Sequence, residues 1–157
     1  MDWTNIITAA VALYGAVLST YMLVSNTREK RRHVKVEIAN GFLPRGPELG
    51  PPMLLICLTN PGYRSVTIQC PALRLPTGAS MVFLEPQSDV RFPHELAEGK
   101  NCTVWMEMTS IAQQLVERGI TGTVGLVAEC SDAVGTTYKS KAWPFNASEW
   151  LKERGLV

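Results

Sequence analysis

The sequence predicts an all-β sandwich of about seven or eight strands, with an N-terminal transmembrane helix and two short helices. Residues 3–24 carry no charged side chain, and a helix of that length, rising about 1.5 Å per residue, crosses a hydrocarbon core of about 30 Å. A dense cationic block follows in residues 28–35. Beyond it, apolar residues alternate with polar ones between Pro- and Gly-rich turns, which is the pattern of a β domain.

Residues 3–24 are interpreted as an uncleaved membrane anchor. A helix lying flat on a membrane should show a charged face, and this segment has none. The buried helix of a soluble protein is a further alternative. A cleaved signal peptide needs a positive N-terminal region, whereas Asp2 is the one side-chain charge before the apolar stretch.

The charges that flank the helix predict its orientation. Five cations and one acid follow it: Arg28, Lys30, Arg31, Arg32 and Lys35, with Glu29. Because cytoplasmic flanks carry the excess of Lys and Arg, the sequence predicts an inner-membrane protein with its N-terminus outside and its C-terminal domain in the cytoplasm. The five cations are also the predicted contacts with anionic lipid headgroups.

The chain is predicted to have three parts: a transmembrane anchor in residues 1–25, a basic juxtamembrane segment in 26–33 and a β-sandwich domain in 34–157. Residues 28–35 carry five Lys or Arg and one Glu, a local charge of +4 (5 − 1). Residues 36–157 carry ten Lys or Arg and twelve Asp or Glu, a local charge of −2 (10 − 12). A mildly acidic domain without a basic stripe argues against nucleic acid as a partner.

A stripe of small side chains lies on one face of the predicted helix. Its members are Thr8, Ala12, Gly15, Ala16 and Ser19. Small residues at this spacing let two helix backbones approach closely in lipid, so the stripe indicates self-association or docking on another membrane helix. Ala and Gly are common in spanning helices, so chance explains the stripe equally well.

Alternating apolar residues predict the strands of the domain. A strand over residues 34–38 is expected to end at Asn40 and Gly41, before a Pro- and Gly-rich loop. Residues 53–70 are predicted to form one hairpin and residues 121–145 a second. Further strands are predicted at residues 72–75, 80–84 and 101–108. The predicted core consists of Leu54, Ile56, Leu58, Val66, Ile68, Val104, Met106 and Leu126.

Two short helices are predicted from their capping residues. Ser110 with Gln113 matches a capping box, and Gly119 provides a left-handed stop. Asn146 with Glu149 resembles the same box near the C-terminus.

The four cysteines fit no zinc spacing; they are Cys57, Cys70, Cys102 and Cys130. In a cytoplasmic domain they remain thiols. Alternation places Cys70, Cys102 and Cys130 among apolar residues, so these three are predicted to be small buried hydrophobes. A Cys57–Cys130 bridge across a sandwich is the alternative, and it requires the opposite membrane orientation.

The sequence contains no recognisable catalytic constellation. His94 follows a proline and lacks the second histidine of a zinc helix. Asp132, near Gly135, is interpreted as part of a turn. Trp105 is out of phase with its apolar neighbours, so it marks either an exposed contact surface or, preferably, a strand buried on both faces. No enzyme activity, cofactor or metal is therefore predicted, and no small-molecule ligand is identified.

Four segments carry a resemblance to a protein group. They are residues 1–24, the segment LLICLTNPGYRSVTI, the segment FPHELAEGKNCTVWM and the closing SDAVGTTYKSKAWPF. They are similar to those of uncharacterised bacterial single-pass membrane proteins with an N-terminal helix, a basic stop and an immunoglobulin-like β-sandwich. The resemblance implies that fold and a membrane location, and it transfers no catalytic residue.

These expectations lead to two main hypotheses of function. The first is a membrane-anchored interaction module that presents a cytosol-facing β-sandwich to a protein partner or a membrane complex. The alternative is a membrane-perturbing effector that oligomerises through its transmembrane helix. An enzyme is a third and weaker hypothesis, because no nucleophile–base pair or metal cluster can be assembled from the sequence.

Overall fold

The computed structural model describes residues 3–29, 32–45, 48–83 and 87–155. The helices are α1 (Trp3–Glu29), α2 (Met108–Glu117) and α3 (Ala147–Glu153). The strands are β1 (Lys35–Arg45), β2 (Glu48–Thr59), β3 (Val66–Ile68), β4 (Ala72–Arg74), β5 (Ser80–Val82), β6 (Gln87–Ser88), β7 (His94–Leu96), β8 (Asn101–Glu107), β9 (Thr123–Ser131), β10 (Thr137–Lys139) and β11 (Trp143–Asn146). The predicted mostly β class, with an N-terminal apolar helix and two short helices, is confirmed.

Two larger antiparallel sheets share one buried cluster. The first has the strand order β1-β2-β8-β6, and the second has the order β10-β9-β4-β5, with β11 also paired to β9. Strands β3 and β7 form a separate antiparallel pair. Leu58 of the first sheet, Leu126 of the second and Leu115 of α2 all belong to the same hydrophobic cluster. The core therefore lies between the two sheets and extends under the helices.

All eight predicted core residues are buried, and Met106, the most accessible of them, exposes 9% of its surface. In β2 the side chains of Leu54, Ile56 and Leu58 are buried, while those between them are only half-buried. Because successive side chains of a strand point to opposite faces, the period-2 pattern correctly predicted which face of each strand is buried.

The predicted hairpin over residues 53–70 is wrong. Strand β2 pairs with β1 and β8, whereas β3 pairs with β7. The predicted end of the first strand at Asn40 and Gly41 is also wrong, because β1 continues to Arg45. A Cβ atom on Gly41 would lie 3.0 Å from Leu55 Cδ1, so glycine here allows close packing against β2. The register shifts between Phe42 and Pro44, and prolines are tolerated at such irregularities.

The second predicted hairpin is confirmed, with one irregularity. Thr137 pairs with Ser131 in β10, and after a break β11 returns to the same side of β9. Ser140 bridges the break, because its backbone N–H donates to Ala128 O at 2.8 Å and its hydroxyl accepts from Ala128 N at 2.9 Å. The turn contains Gly135 at a φ of 89°, a left-handed conformation that favours glycine.

Of the two predicted helix caps, the one at α3 is confirmed and the one at α2 is wrong. Helix α2 begins at Met108, and its N-cap residue Glu107 makes no side-chain capping bond, so the capping box at Ser110 is wrong. Gly119 does follow α2 in a left-handed conformation, with a φ of 76°. In α3 the predicted cap is confirmed, because the side chain of Asn146 accepts a hydrogen bond from Glu149 N.

Candidate functional site

Helix α1 contains a segment, Ile6–Ser25, that is long and apolar enough to cross a membrane by length and composition. Its mean hydropathy is 1.8, and 0% of the segment is buried against the rest of the described chain. Its apolar side chains are therefore not covered by the β domain. An exposed apolar helix of this length is compatible with a membrane span.

The small-residue stripe on α1 is exposed along its whole length. Gly15 is open, because a Cβ atom added there meets nothing within 4 Å. The hydroxyl of Thr8 donates to Thr4 O at 2.8 Å, so this hydroxyl proton already has an acceptor within its own helix. A helix–helix contact through Thr8, Ala12, Gly15, Ala16 and Ser19 stays a prediction.

The described cations of the predicted basic block lie in different places on the domain. Residues 30 and 31 and the side chain of Arg28 lie outside the described parts of the chain. Arg32 is exposed beside the turn that contains Asp132. Lys35 is the first residue of β1, and its Nζ lies 2.8 Å from Glu37 Oε1.

A groove of about 480 Å³ lies between the start of β1 and the β10–β11 edge of the second sheet. Its lining residues are His33, Val34, Lys35, Val36, Glu37, Ile38, Lys139, Lys141, Ala142 and Trp143, and they define the β1 groove. Strand β1 is the end strand of its sheet, and among the described strands only β2 pairs with it. The other edge of β1 therefore has no described ladder partner, although parts of β9 and β10 approach β1 to within 8 Å between Cα atoms.

The β1 groove combines apolar side chains with lysines. Val34 and Val36 are buried, and Trp143 is half-buried with its ring stacked 5.5 Å from that of Phe145. The lysine side chains come from distant parts of the sequence, since Lys35 precedes Lys139 by more than a hundred residues. The groove thus offers an apolar floor beside cationic groups, a combination that suits an extended, acidic segment.

The charges of the β1 groove are only partly balanced. Lys35 pairs with Glu37 at 2.8 Å, whereas Lys139 lies 3.9 Å from Glu129. Within the described residues, no ion pair involves Lys141. Of the three lysines, Lys141 is therefore the one most available to an acidic ligand group.

Asp132 anchors the turn between β9 and β10. Its carboxylate is buried and accepts hydrogen bonds from Val134 N at 3.0 Å, Thr136 N at 2.8 Å and the Tyr138 hydroxyl at 3.2 Å. Burial acts to raise the pKa of Asp132, but hydrogen bonds led by those from Thr136 and Val134 hold the pKa below its usual value. The turn role is confirmed, whereas the burial and the Tyr138 contact were not predicted.

Asn60 is a buried polar residue whose role the sequence did not reveal. Its side-chain amide donates to Arg64 O at 2.7 Å and to Leu96 O at 2.9 Å, and its oxygen accepts from Gly62 N at 2.9 Å. It therefore ties the loop after β2 to the end of β7. Asn before Pro-Gly signals a turn, but it carries no information about the distant partner Leu96.

All four cysteines are free thiols. Cys102 and Cys130 are buried as predicted, and desolvation by burial is the main cause that raises the pKa of each thiol to about 12. Cys70 is only half-buried, because β3 ends at Ile68 and the predicted alternation does not reach it. Burial still raises the pKa of Cys70.

The remaining residues considered from the sequence lie apart from the β1 groove. Trp105 is half-buried and lines a separate cavity with Phe83 and Gln114. His94 is half-buried and pairs with Ile68 in the β3–β7 ladder. No group of three or more His, Cys, Asp or Glu positioned for a metal occurs among residues 3–29, 32–45, 48–83 and 87–155.

The β1 groove was not predicted from the sequence. Lys139 and Lys141 alternate with Ser140, which signals one exposed strand face, but nothing local places them beside Lys35. No protein-family model matches the chain, and comparison with curated proteins gives no match either. The function is therefore inferred from the geometry of α1 and the groove.

Proposed function

We propose that the protein is a membrane-anchored interaction module. In this proposal α1 crosses the inner membrane with its N-terminus outside, and the β domain binds a protein partner or a membrane complex at the cytoplasmic surface. The uncharged Ile6–Ser25 segment and the cations that follow it support this orientation. The free edge of β1 beside the lysines of the β1 groove is the observation that carries the binding role.

We further propose that the domain is an immunoglobulin-like sandwich, and the strand order supports this. The first sheet, β1-β2-β8-β6, corresponds to the order A-B-E-D of such domains, and β10-β9-β4 corresponds to G-F-C. Strand β5 then takes the place of C′, as in variable-type domains. The β3–β7 pair and α2 are additions within the connections of that framework.

The ligand that fits the β1 groove best is an extended segment of a partner protein. An added strand would hydrogen-bond to the unpaired backbone edge of β1, and its alternate side chains would contact the apolar floor around Ile38 and Trp143. Acidic side chains on the segment would meet Lys139 and Lys141. A partner of this kind gains affinity from backbone bonds and specificity from the charges.

The position of the β1 groove favours a partner that is itself at the membrane. Helix α1 ends at Glu29 and the groove begins at His33, so the two are at most about 14 Å apart along the chain. The juxtamembrane segment of another membrane protein lies at this height above the bilayer.

Site-specific cross-linking tests the groove. A photo-reactive amino acid replaces Lys141 in the groove or, as the matched control, Lys152 of α3, and the full chain is illuminated in native membranes. We expect a discrete adduct from position 141 alone, and its loss when Lys35→Glu and Lys139→Glu are added. The same adduct from both positions, or none from position 141, would refute the binding role.

The orientation has its own test. A reporter that is active only outside the cytosol, fused to the C-terminus, should stay silent because the cations after α1 retain that side in the cytoplasm. Strong reporter activity would overturn the orientation and the argument that the cysteines stay reduced.

The second candidate function is an effector that oligomerises through α1. The exposed stripe and the open space at Gly15 favour it. Overproduction of such an effector should slow growth, and Gly15→Leu should abolish the slowing. Unchanged growth on overproduction of the wild-type chain would remove this candidate.

A further inference from the structure

The loops at the tethered end of the domain lie together. Arg32 lines a cavity of about 230 Å³ with residues 65–67 and 132–134. Ala133 N donates to Thr67 O at 2.9 Å, which joins the two segments directly. Residues 61–65 and 133–136 are called the tethered-end loops below. Because Arg32 comes three residues after the end of α1, these loops occupy the part of the domain where the chain enters it.

Each of the two loops exposes a large apolar side chain. Tyr63 exposes 66% of its surface and Val134 exposes 63%. A single exposed apolar residue is ordinary on a protein surface, so exposure alone says little. Here both side chains lie at the tethered end, and Val134 is at the tip of the β9–β10 turn.

The length of the tether keeps these loops near the bilayer. The apolar segment ends at Ser25, and the helix continues for four residues to Glu29, a rise of about 6 Å. Three further residues reach Arg32 and span at most about 11 Å. Arg32 is therefore within about 17 Å of the hydrocarbon boundary, and the headgroup layer occupies the first 5 to 8 Å, roughly, of that distance.

The charges at this end favour an anionic surface. Arg32 and Arg64 are exposed, and the sequence adds Arg28, Lys30 and Arg31 just before them. The carboxylate of Asp132 is turned inward and occupied by its own turn. Glu98 lies on a neighbouring turn beside Lys100, and Glu95 lies opposite Thr67 in β7, so the acids are fewer than the cations.

We propose that the tethered-end loops dock on the anionic surface of the same bilayer that α1 spans. Val134 and Tyr63 enter the interface between headgroups and acyl chains, where a tyrosine ring is favoured. Arg32 and Arg64 contact lipid phosphates. Docking holds the domain in one orientation relative to the membrane. The docking requires the membrane-spanning role of α1 and is independent of any partner in the groove.

Depth-dependent quenching tests the docking. The full chain is reconstituted into vesicles of phosphatidylcholine, with or without phosphatidylglycerol, that contain lipids brominated near the headgroup. An environment-sensitive fluorescent amino acid replaces Val134 or, as the matched control, Val82, which is equally exposed at 65% but lies on β5. Both leaflets have the same composition, so the direction of insertion does not affect the result.

We expect the label at position 134 to be quenched at least about twofold more than the label at position 82 in anionic vesicles, because docked side chains lie about 5–10 Å into the interface. Phosphatidylcholine alone, or Arg32→Glu with Arg64→Glu, should remove the difference. Equal quenching at the two positions, or a difference that survives without anionic lipid, would overturn the proposal. If the full chain does not float with the vesicles, α1 does not anchor it in the bilayer, and the docking proposal, which requires that anchor, is overturned too.

Discussion

Helix α1 and the two larger sheets carry the same kinds of apolar side chain in opposite surroundings. Leu13 of α1 exposes 69% of its surface, whereas Leu58 of β2 exposes 0%. The sheets alternate apolar and polar positions and cover their apolar faces with each other and with α2 and α3. Helix α1 has no charged face and no cover within the described chain. The β domain supplies its own apolar interior, whereas the described chain supplies no apolar cover for the Ile6–Ser25 segment of α1.

One substitution in each region measures this difference. Leu58→Ala should lower the free energy of unfolding of the β domain by about 2–5 kcal/mol, because it leaves a cavity in a closed core. Leu13→Ala, the same change in α1, should leave that free energy within about 0.5 kcal/mol. Urea unfolding of the full chain in detergent, followed by a signal from the sheets, checks both. Equal effects would mean that the two regions share a core.

A smaller loss is expected at the buried turn of Asp132. Asp132→Ala leaves Val134 N and Thr136 N without their carboxylate acceptor, and hydrogen bonds to a charged group contribute about 1.5–3 kcal/mol. The variant should be destabilised by an amount in that range in the same urea experiment. Glu153→Ala, at the exposed end of α3, is the control and should change little.

Acidification tests the same turn without a change in side-chain volume. The pKa of Asp132 is lower in the folded protein than in the unfolded chain, so its carboxylate stabilises the fold above the unfolded pKa of about 3.9. That contribution is lost as the pH falls through the folded pKa. The unfolding free energy of the wild-type chain should therefore decrease below about pH 4, and Asp132→Asn should flatten the decrease. Parallel curves for the two proteins would contradict the assignment.

The smallest expected effect on the β domain comes from the stripe on α1. Gly15→Leu should weaken cross-linking between copies, or to another helix, in membranes, because a larger side chain separates the backbones. Val17→Ala lies nearly opposite on the helix and should change little. Neither variant should alter unfolding of the sheets. Equal cross-linking of the wild-type chain and Gly15→Leu would leave α1 as a simple anchor.

The sequence correctly predicted those features of the fold that depend on neighbouring residues, namely the buried faces of strands and a short turn. Alternation identified the buried side chains of Leu54, Leu58 and Leu126, and the short turn at Asp132 fixed the second hairpin. The partners of β2 could not be predicted in this way, because a strand pattern does not say which distant strand lies beside it. The β1 groove was missed for the same reason, since Lys35 and Lys141 meet only through the sheet order.

Affinity capture of the full chain from detergent-solubilised membranes tests whether the β1 groove binds a membrane partner. The wild-type chain is compared with Lys139→Glu/Lys141→Glu and with the control Arg118→Glu/Lys152→Glu, which makes the same charge change at exposed positions outside the groove. We expect one partner in fixed ratio with the wild-type chain and with the control, and its loss from the groove variant. A partner retained equally by all three proteins would contradict binding through the β1 groove.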